Sequence, residues 1–241
     1  MKLLDSKFEI SKLACACLRW CLLQTFLWLP VSLHADTVVF EIKGKSASLE
    51  LPAGYCEMPN NEIRSRYMRL LEEKTAVIKP RLNIQVVFAP CSGYKPRQDP
   101  WGYIAAIDID ATGTTQAKLN KSMESNLKGA IAESLDFVTS IKYSEEHEKL
   151  TGSKIESHKV GAPTVWVANR KQYLWSAIQR IDQIDVQSQT RVNTKEMAFT
   201  SIMVRNGRVI NICGYAPLSN REGISELLRG LQSSADTLKI R

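Results

Sequence analysis

Histidine, closely spaced cysteine pairs beyond the leader and long apolar runs are scarce or missing in this 241-residue chain, and each lack closes off some chemistry. Of three histidines, His34 falls in the leader described below, which leaves His147 and His158 for any step that needs an imidazole near neutral pH. No serine stands in a Gly-x-Ser-x-Gly elbow, and neither His-Glu-x-x-His nor a phosphate-binding glycine loop occurs. A hydrolase built on this chain would have to use His147, inside Glu145-Glu146-His147-Glu148, or His158, inside Ser157-His158-Lys159. No Cys-x-x-Cys spacing follows residue 35, so a structural zinc site is not expected, nor is any other metal or cofactor. Long runs of one charge sign are scarce too. The net charge is +7, with acidic residues set among the basic ones, as in Arg69-Leu70-Leu71-Glu72-Glu73-Lys74. A nucleic-acid binder concentrates its basic residues in a stripe, so that class is excluded.

What is present begins with an address. Residues 1–19 are polar and net basic. Residues 20–33 read Trp-Cys-Leu-Leu-Gln-Thr-Phe-Leu-Trp-Leu-Pro-Val-Ser-Leu, and His34-Ala35-Asp36 follows. This is the order of a secretory signal peptide, and its apolar block is short of the roughly twenty residues that span a bilayer. Cleavage is expected after Ala35, giving a leader over 1–35 and one domain over 36–241. That mature part keeps 28 basic and 23 acidic residues of the 32 and 25 in the whole chain. The competing reading joins residues 13–33, interrupted by Arg19, into an uncleaved inner-membrane anchor whose arginine snorkels to the surface. Cys15, Cys17 and Cys21 then read as small apolar residues of the leader.

Three cysteines follow the leader. Cys56 comes after the turn-like Leu51-Pro52-Ala53-Gly54-Tyr55, and Cys91 stands just past the apolar run over 84–90. Both lie at the ends of predicted elements, so in an exported protein they are expected to pair, a closure worth about 3–4 kcal/mol in the chain-entropy model. Cys213 lies inside a predicted strand and reads as a buried thiol.

Periodicity supplies the elements. Residues 37–42 and 46–51 are β-rich runs about Lys43-Gly44-Lys45, a hairpin. Asn60 or Asn61 caps a helix whose apolar positions are Ile63, Tyr67, Leu70 and Leu71. Residues 83–89 and 102–110 read as strands joined by a proline-rich loop over 91–101. Leu119, Met123, Leu127, Ala130, Ile131 and Leu135 mark an amphipathic helix. Residues 143–158 read as a charged loop or short helix, and 164–168 and 172–181 as strands. Asn206-Gly207 closes a hairpin between 197–204 and 209–215, and Ser219 with Glu222 forms a capping box ahead of Ile224, Leu227, Leu228, Leu231 and Leu238. The order β-β-α-β-β-α-β-β-β-β-α predicts an α+β fold, a mainly antiparallel sheet covered by helices.

Two further groups invite a function. Asp108, Asp110, Thr112 and Gly113 match the first half of a calcium loop, but Leu119 stands where the bidentate glutamate belongs, and a strand-to-helix turn explains the same residues. Trp101, Trp166, Trp175, Tyr94 and Tyr173 either line an apolar pocket or fill the core. Tyr94 and Trp101 differ from the rest in lying in the long loop beside the predicted disulfide, which makes them the expected ligand or partner surface.

The element order, Leu51-Pro52-Ala53-Gly54-Tyr55 ahead of a helix, and the strand over 208–215 followed by a capped helix resemble the Mog1/PsbP-like fold over most of residues 37–240. The resemblance implies α/β/α layers and an exported or lumenal accessory protein or small binding module with little catalysis; it carries over no site residues. The expectation is therefore a non-enzymatic periplasmic or secreted bacterial protein that binds a protein or small molecule and meets the membrane only through an uncleaved leader. A periplasmic hydrolase using His147 or His158 and a membrane-anchored scaffold are the alternatives.

Overall fold

Strand β1 (Thr37–Ile42) alternates exposed and buried residues along its whole length, turning Val38, Phe40 and Ile42 inward. It reverses at Lys43 and Gly44, whose φ angles of 49° and 76° make the two-residue turn that matches the twist of a hairpin. β2 (Lys45–Glu50) then pairs with it from Ile42 opposite Lys45 to Thr37 opposite Glu50. In the computed structural model the described residues are 35–60, 62, 64–65, 68–69, 71, 82–107, 109–132, 153–185 and 188–241.

The larger sheet is built from β3 (Tyr55–Glu57), β4 (Leu82–Pro90), β5 (Trp101–Ile107), β6 (Ser153–Val160), β7 (Thr164–Ala168), β8 (Tyr173–Asp185), β9 (Arg191–Arg205) and β10 (Arg208–Pro217). Its order is β3-β4-β5-β10-β9-β8-β6, with β7 also on β8, and every pairing is antiparallel. A second sheet has the order β1-β2-β11, where β11 (Lys239–Ile240) closes on β2. Among the described residues are also the helices α1 (Gln116–Ala132) and α2 (Arg221–Thr237). Among the described residues between β3 and β4, Glu62, Arg64, Ser65, Met68, Arg69 and Leu71 are helical, on the stretch where the sequence predicts the first helix.

The core follows from strand alternation. On one face of the larger sheet, Phe88, Ile104, Ile212 and Phe199 pack with Leu227, Leu231 and Ala235 of α2 and with Phe40 and Leu49 of the smaller sheet. The opposite face carries two smaller clusters: Val87, Tyr103 and Cys213 with Met58 and Leu71, and Ile202, Val204 and Val209 with Leu119 and Met123 of α1. Buried amides tie the pieces together. The Asn120 side chain donates to Asn169 O at 2.8 Å, Ser201 Oγ to Gln172 Oε1 at 2.9 Å, and Gln172 Nε2 to Gln232 O at 2.7 Å.

The structure bears out the mainly antiparallel sheet and corrects local readings. Residues 153–160 form a strand where a charged loop or short helix is expected, because β6 is an edge strand whose lysines and glutamate face solvent. β5 ends at Ile107, short of Asp110. α1 starts at Gln116, three residues ahead of the first apolar marker. The cap of α2 is Asn220, whose Oδ1 accepts from Gly223 N at 2.9 Å, in place of the predicted Ser219 box.

Candidate functional site

The expected disulfide is present: Cys56 and Cys91 are bonded across 35 residues. The bridge joins the short edge strand β3 to the end of β4, where Cys91 N also donates to Gly54 O at 2.9 Å. From it runs the loop 91–100. Asp99 Oδ2 accepts from Lys95 N at 2.7 Å, Pro100 is buried, and the Asn220 side chain donates to Gln98 O. The loop is thus held at both ends and at its middle.

Tyr94 and Trp101 are both half-buried and converge on one cluster. Trp101 is the first residue of β5, directly opposite Tyr215 of β10, and the two rings stack with centroids 4.8 Å apart. Tyr103 lies 6.3 Å from Tyr215 and completes an aromatic trio on that face. The next cross-strand row sets Cys213 between Tyr103 and Thr200. Asn211 Nδ2 lies 3.3 Å from the Cys213 sulfur, and Thr200 Oγ1 lies 3.8 Å from it. Cys213 is buried, as the sequence predicts, and these neighbours are neutral groups. Burial first, then the nearby Cys213 and Tyr215, hold the Tyr103 hydroxyl well above the usual phenol range.

Among the described residues Val39 of β1 is the most exposed large apolar residue, at 68%, but the other four, Val160, Val165, Trp166 and Ile178, gather on β6, β7 and β8 at the far edge of the larger sheet. Trp166 and Val165 of β7 are each 45% exposed, and Ile178 of β8 is 47% exposed. β7 carries a bulge between Val165 and Val167, so Trp166 is an extra residue relative to β8. Its indole N–H donates to Ser176 Oγ at 2.8 Å, which fixes the ring beside Ile178, the next residue on the Ser176 face. Val167 and Met197 on this side are half-buried against the main core, so the exposed pair continues the core outward. On the other face, register sets Val165 opposite Trp175 and Val160 opposite Gln179. Apolar side chains therefore wrap around the edge.

At the end of β7 two shallow depressions, of about 330 and 350 Å³, meet at Asn169 and Arg170. One is lined by Lys171, Gln172, Gln232 and Asp236, with Lys171 paired to Asp236, and the other by Asn120, Lys121 and Glu124. The sequence leaves Trp166 between lining a pocket and filling the core, and does not set it on an exposed edge. The signal was available: residues 157–181 contain Lys159, Arg170, Lys171 and Arg180 and no acidic residue.

His147 lies outside the described residues. His158 stands in β6 opposite Ile181. The half calcium loop is a turn, in which Asp110 Oδ1 accepts from Thr112 N at 2.9 Å and Gly113 takes φ 75°; Asp108 lies outside the described residues. The hydrogen bonds from Thr112 hold the Asp110 carboxyl below its usual range. Among the described residues no group of three or more His, Cys, Asp or Glu side chains is placed to hold a metal. No helix among them is long and apolar enough to cross a membrane, and residues 13–33 lie outside them.

No protein-family profile and no curated sequence matches the chain. Among solved structures it is similar to cyanobacterial PsbP (CyanoP) from Synechocystis, at 11% identity over 88% of this chain and 96% of that one, with a TM-score of 0.36. It is also similar to LpqN, described as involved in cell envelope biogenesis of Mycobacterium tuberculosis, at 11% identity over 86% and 91% of the two chains and a TM-score of 0.34. A PsbP structure is thus among the matches, in line with the resemblance read from the sequence. At these values the likeness brings no ligand, partner or activity to this chain.

Proposed function

We propose that the chain is a non-enzymatic binding or accessory protein that works in the periplasm or after secretion. In this reading residues 1–35 are a removed signal peptide, and 36–241 are one α+β domain with helices over the sheet. The observation that carries the binding role is the exposed Trp166 indole, held by Ser176 beside exposed Ile178 at the end of the main core. A fixed aromatic anchor on an open apolar surface is the usual centre of a binding interface, because little side-chain entropy is lost when it is covered. The Cys56–Cys91 bond supports an oxidising compartment.

The competing surface is the loop over 91–101, where Tyr94 and Trp101 each keep part of the ring open to solvent. Crosslinking and pull-down of the mature protein in its native host decides between them. Changing Trp166 and Ile178 to Ser together abolishes partner capture, while Tyr94→Ala leaves it intact; the reverse result moves the site to the loop. Intact mass in the same experiment reads leader removal. Turnover of an ester or peptide panel that disappears with His147→Ala or His158→Ala would establish the hydrolase instead.

A further inference from the structure

We propose that β7 is a docking strand to which an extended, acid-flanked apolar segment of a partner protein adds as a further strand; this rests on the reading that the Trp166 surface is the binding site. The outer edge of β8 carries two strands in succession, β6 along Gln179–Asp185 and β7 along Tyr173–Ser176, broken at Gly161-Ala162-Pro163. The two edges differ in chemistry. β6 is defended against further pairing, since it carries Lys154, Glu156 and Lys159. β7 reads Thr-Val-Trp-Val-Ala, has no charge, and among the described residues pairs only with β8. Both strands carry a bulge, so charge is what sets them apart, and strand addition is how an uncharged apolar edge recognises an extended peptide.

The exposed side chains fit that mode. An added strand projects alternate residues to the two faces of the sheet, and apolar contacts wait on both: Trp166 and Ile178 on one, Val165 and Val160 on the other. Charge selects the occupant. Within 157–181 every charged side chain is basic; Lys171 pairs with Asp236 and Arg180 with Asp182, and Arg170 stands where the two depressions meet, with Asp236 in the lining of one and Glu124 in that of the other. A second copy of the chain brings no carboxylate of its own within 157–181 to Arg170 or Lys159, whereas a segment with Asp or Glu beyond its apolar residues meets them with opposite charge.

The test is selection of random twelve-residue peptides on the immobilised mature protein, followed by affinity measurement of the enriched synthetic peptides. Enriched sequences are expected to alternate apolar residues and to carry Asp or Glu at one end. Arg170→Glu and Trp166→Ser should each weaken them at least about tenfold. Neighbouring strand residues point their N–H groups to opposite sides, so Thr164→Pro and Val165→Pro are made as a pair. The member that keeps the far-ultraviolet spectrum and melting temperature of the parent has lost the outward donor, and it must lose the peptides. If that folded proline variant binds them undiminished, strand addition is wrong while the Trp166 surface survives as a side-chain contact. If no peptide is enriched and the protein instead dimerises, or binds anionic phosphatidylglycerol vesicles through Trp166, the occupant is a second copy or a membrane and the proposal falls.

Discussion

Gln116, the first residue of α1, takes the place of a missing strand for Val204 of β9. Its Oε1 accepts from Val204 N at 2.7 Å, and its Nε2 donates to Ile202 O at 3.1 Å and to Asn120 Oδ1 at 2.9 Å. β8 begins at Tyr173, opposite Ile202, so β9 runs on past the end of its neighbour. One side-chain amide therefore does there what a backbone amide does elsewhere in the sheet. Gln116→Ala leaves a buried N–H and a buried carbonyl unpaired and should cost about 1–3 kcal/mol. Gln116→Glu keeps the acceptor but loses the donor, and its urea midpoint should fall between those of the parent and the alanine variant.

The Cys56–Cys91 bond closes a 35-residue separation at an edge strand of only three residues. Replacing both cysteines by alanine should lower stability by about 2–4 kcal/mol. The check is a denaturation curve in which reductant shifts the parent to the position of the double variant and leaves that variant unmoved.

Gly230 pits local preference against packing. Alanine in a helix is favoured over glycine by about 1 kcal/mol. A Cβ at Gly230, however, would stand 2.3 Å from Pro52 Cβ and 2.7 Å from Pro52 Cα, and a proline ring joined to backbone yields little. Gly230→Ala should therefore destabilise by about 1–3 kcal/mol despite the helical gain, read as a lowered melting temperature.

The alkaline limb of stability is set by buried phenols. The Tyr55 hydroxyl is raised above its usual value of 10.0, by burial first and then by Glu226 and Asp99, and Tyr103 is raised in the same direction. A raised folded pKa for an acid that is neutral when protonated adds stability that is complete below pH about 10 and is lost as pH climbs through the folded value. The urea midpoint should stay level up to pH about 10 with respect to these groups and fall beyond it, while phenolate absorbance of Tyr55 and Tyr103 appears only with unfolding. The Tyr55 oxygen has no hydrogen-bond partner among the described residues, so Tyr55→Phe should stabilise by about 1 kcal/mol and shallow that fall.

Elements with strong local signals were legible in the sequence. Asn206 and Gly207, with φ of 50° and 70°, close the β9–β10 hairpin that an Asn-Gly pair predicts, and Leu227 and Leu231 mark the buried face of α2. The disulfide followed from two cysteines at element ends. What escaped depends on partners distant in sequence. β6 is polar because it lies at an edge, and β3 and β11 have three and two residues, too few to show a period. Trp166 looks like a core aromatic until the β7 bulge turns it outward beside Ile178. Trp101 reads as a loop residue because its stacking partner Tyr215 is more than a hundred positions away.

β11 carries a consequence for biosynthesis. Ile240 pairs with Ala47 and Lys239 with Ser48, across almost the whole domain, and Leu238 beside them is buried in the main core. A nascent chain that has emerged only as far as α2 holds the β1–β2 hairpin with one edge open and cannot finish the smaller sheet. The smaller sheet is thus closed only once residues 239–240 are made, long after the hairpin they join, while none of the pairings of the larger sheet depends on them.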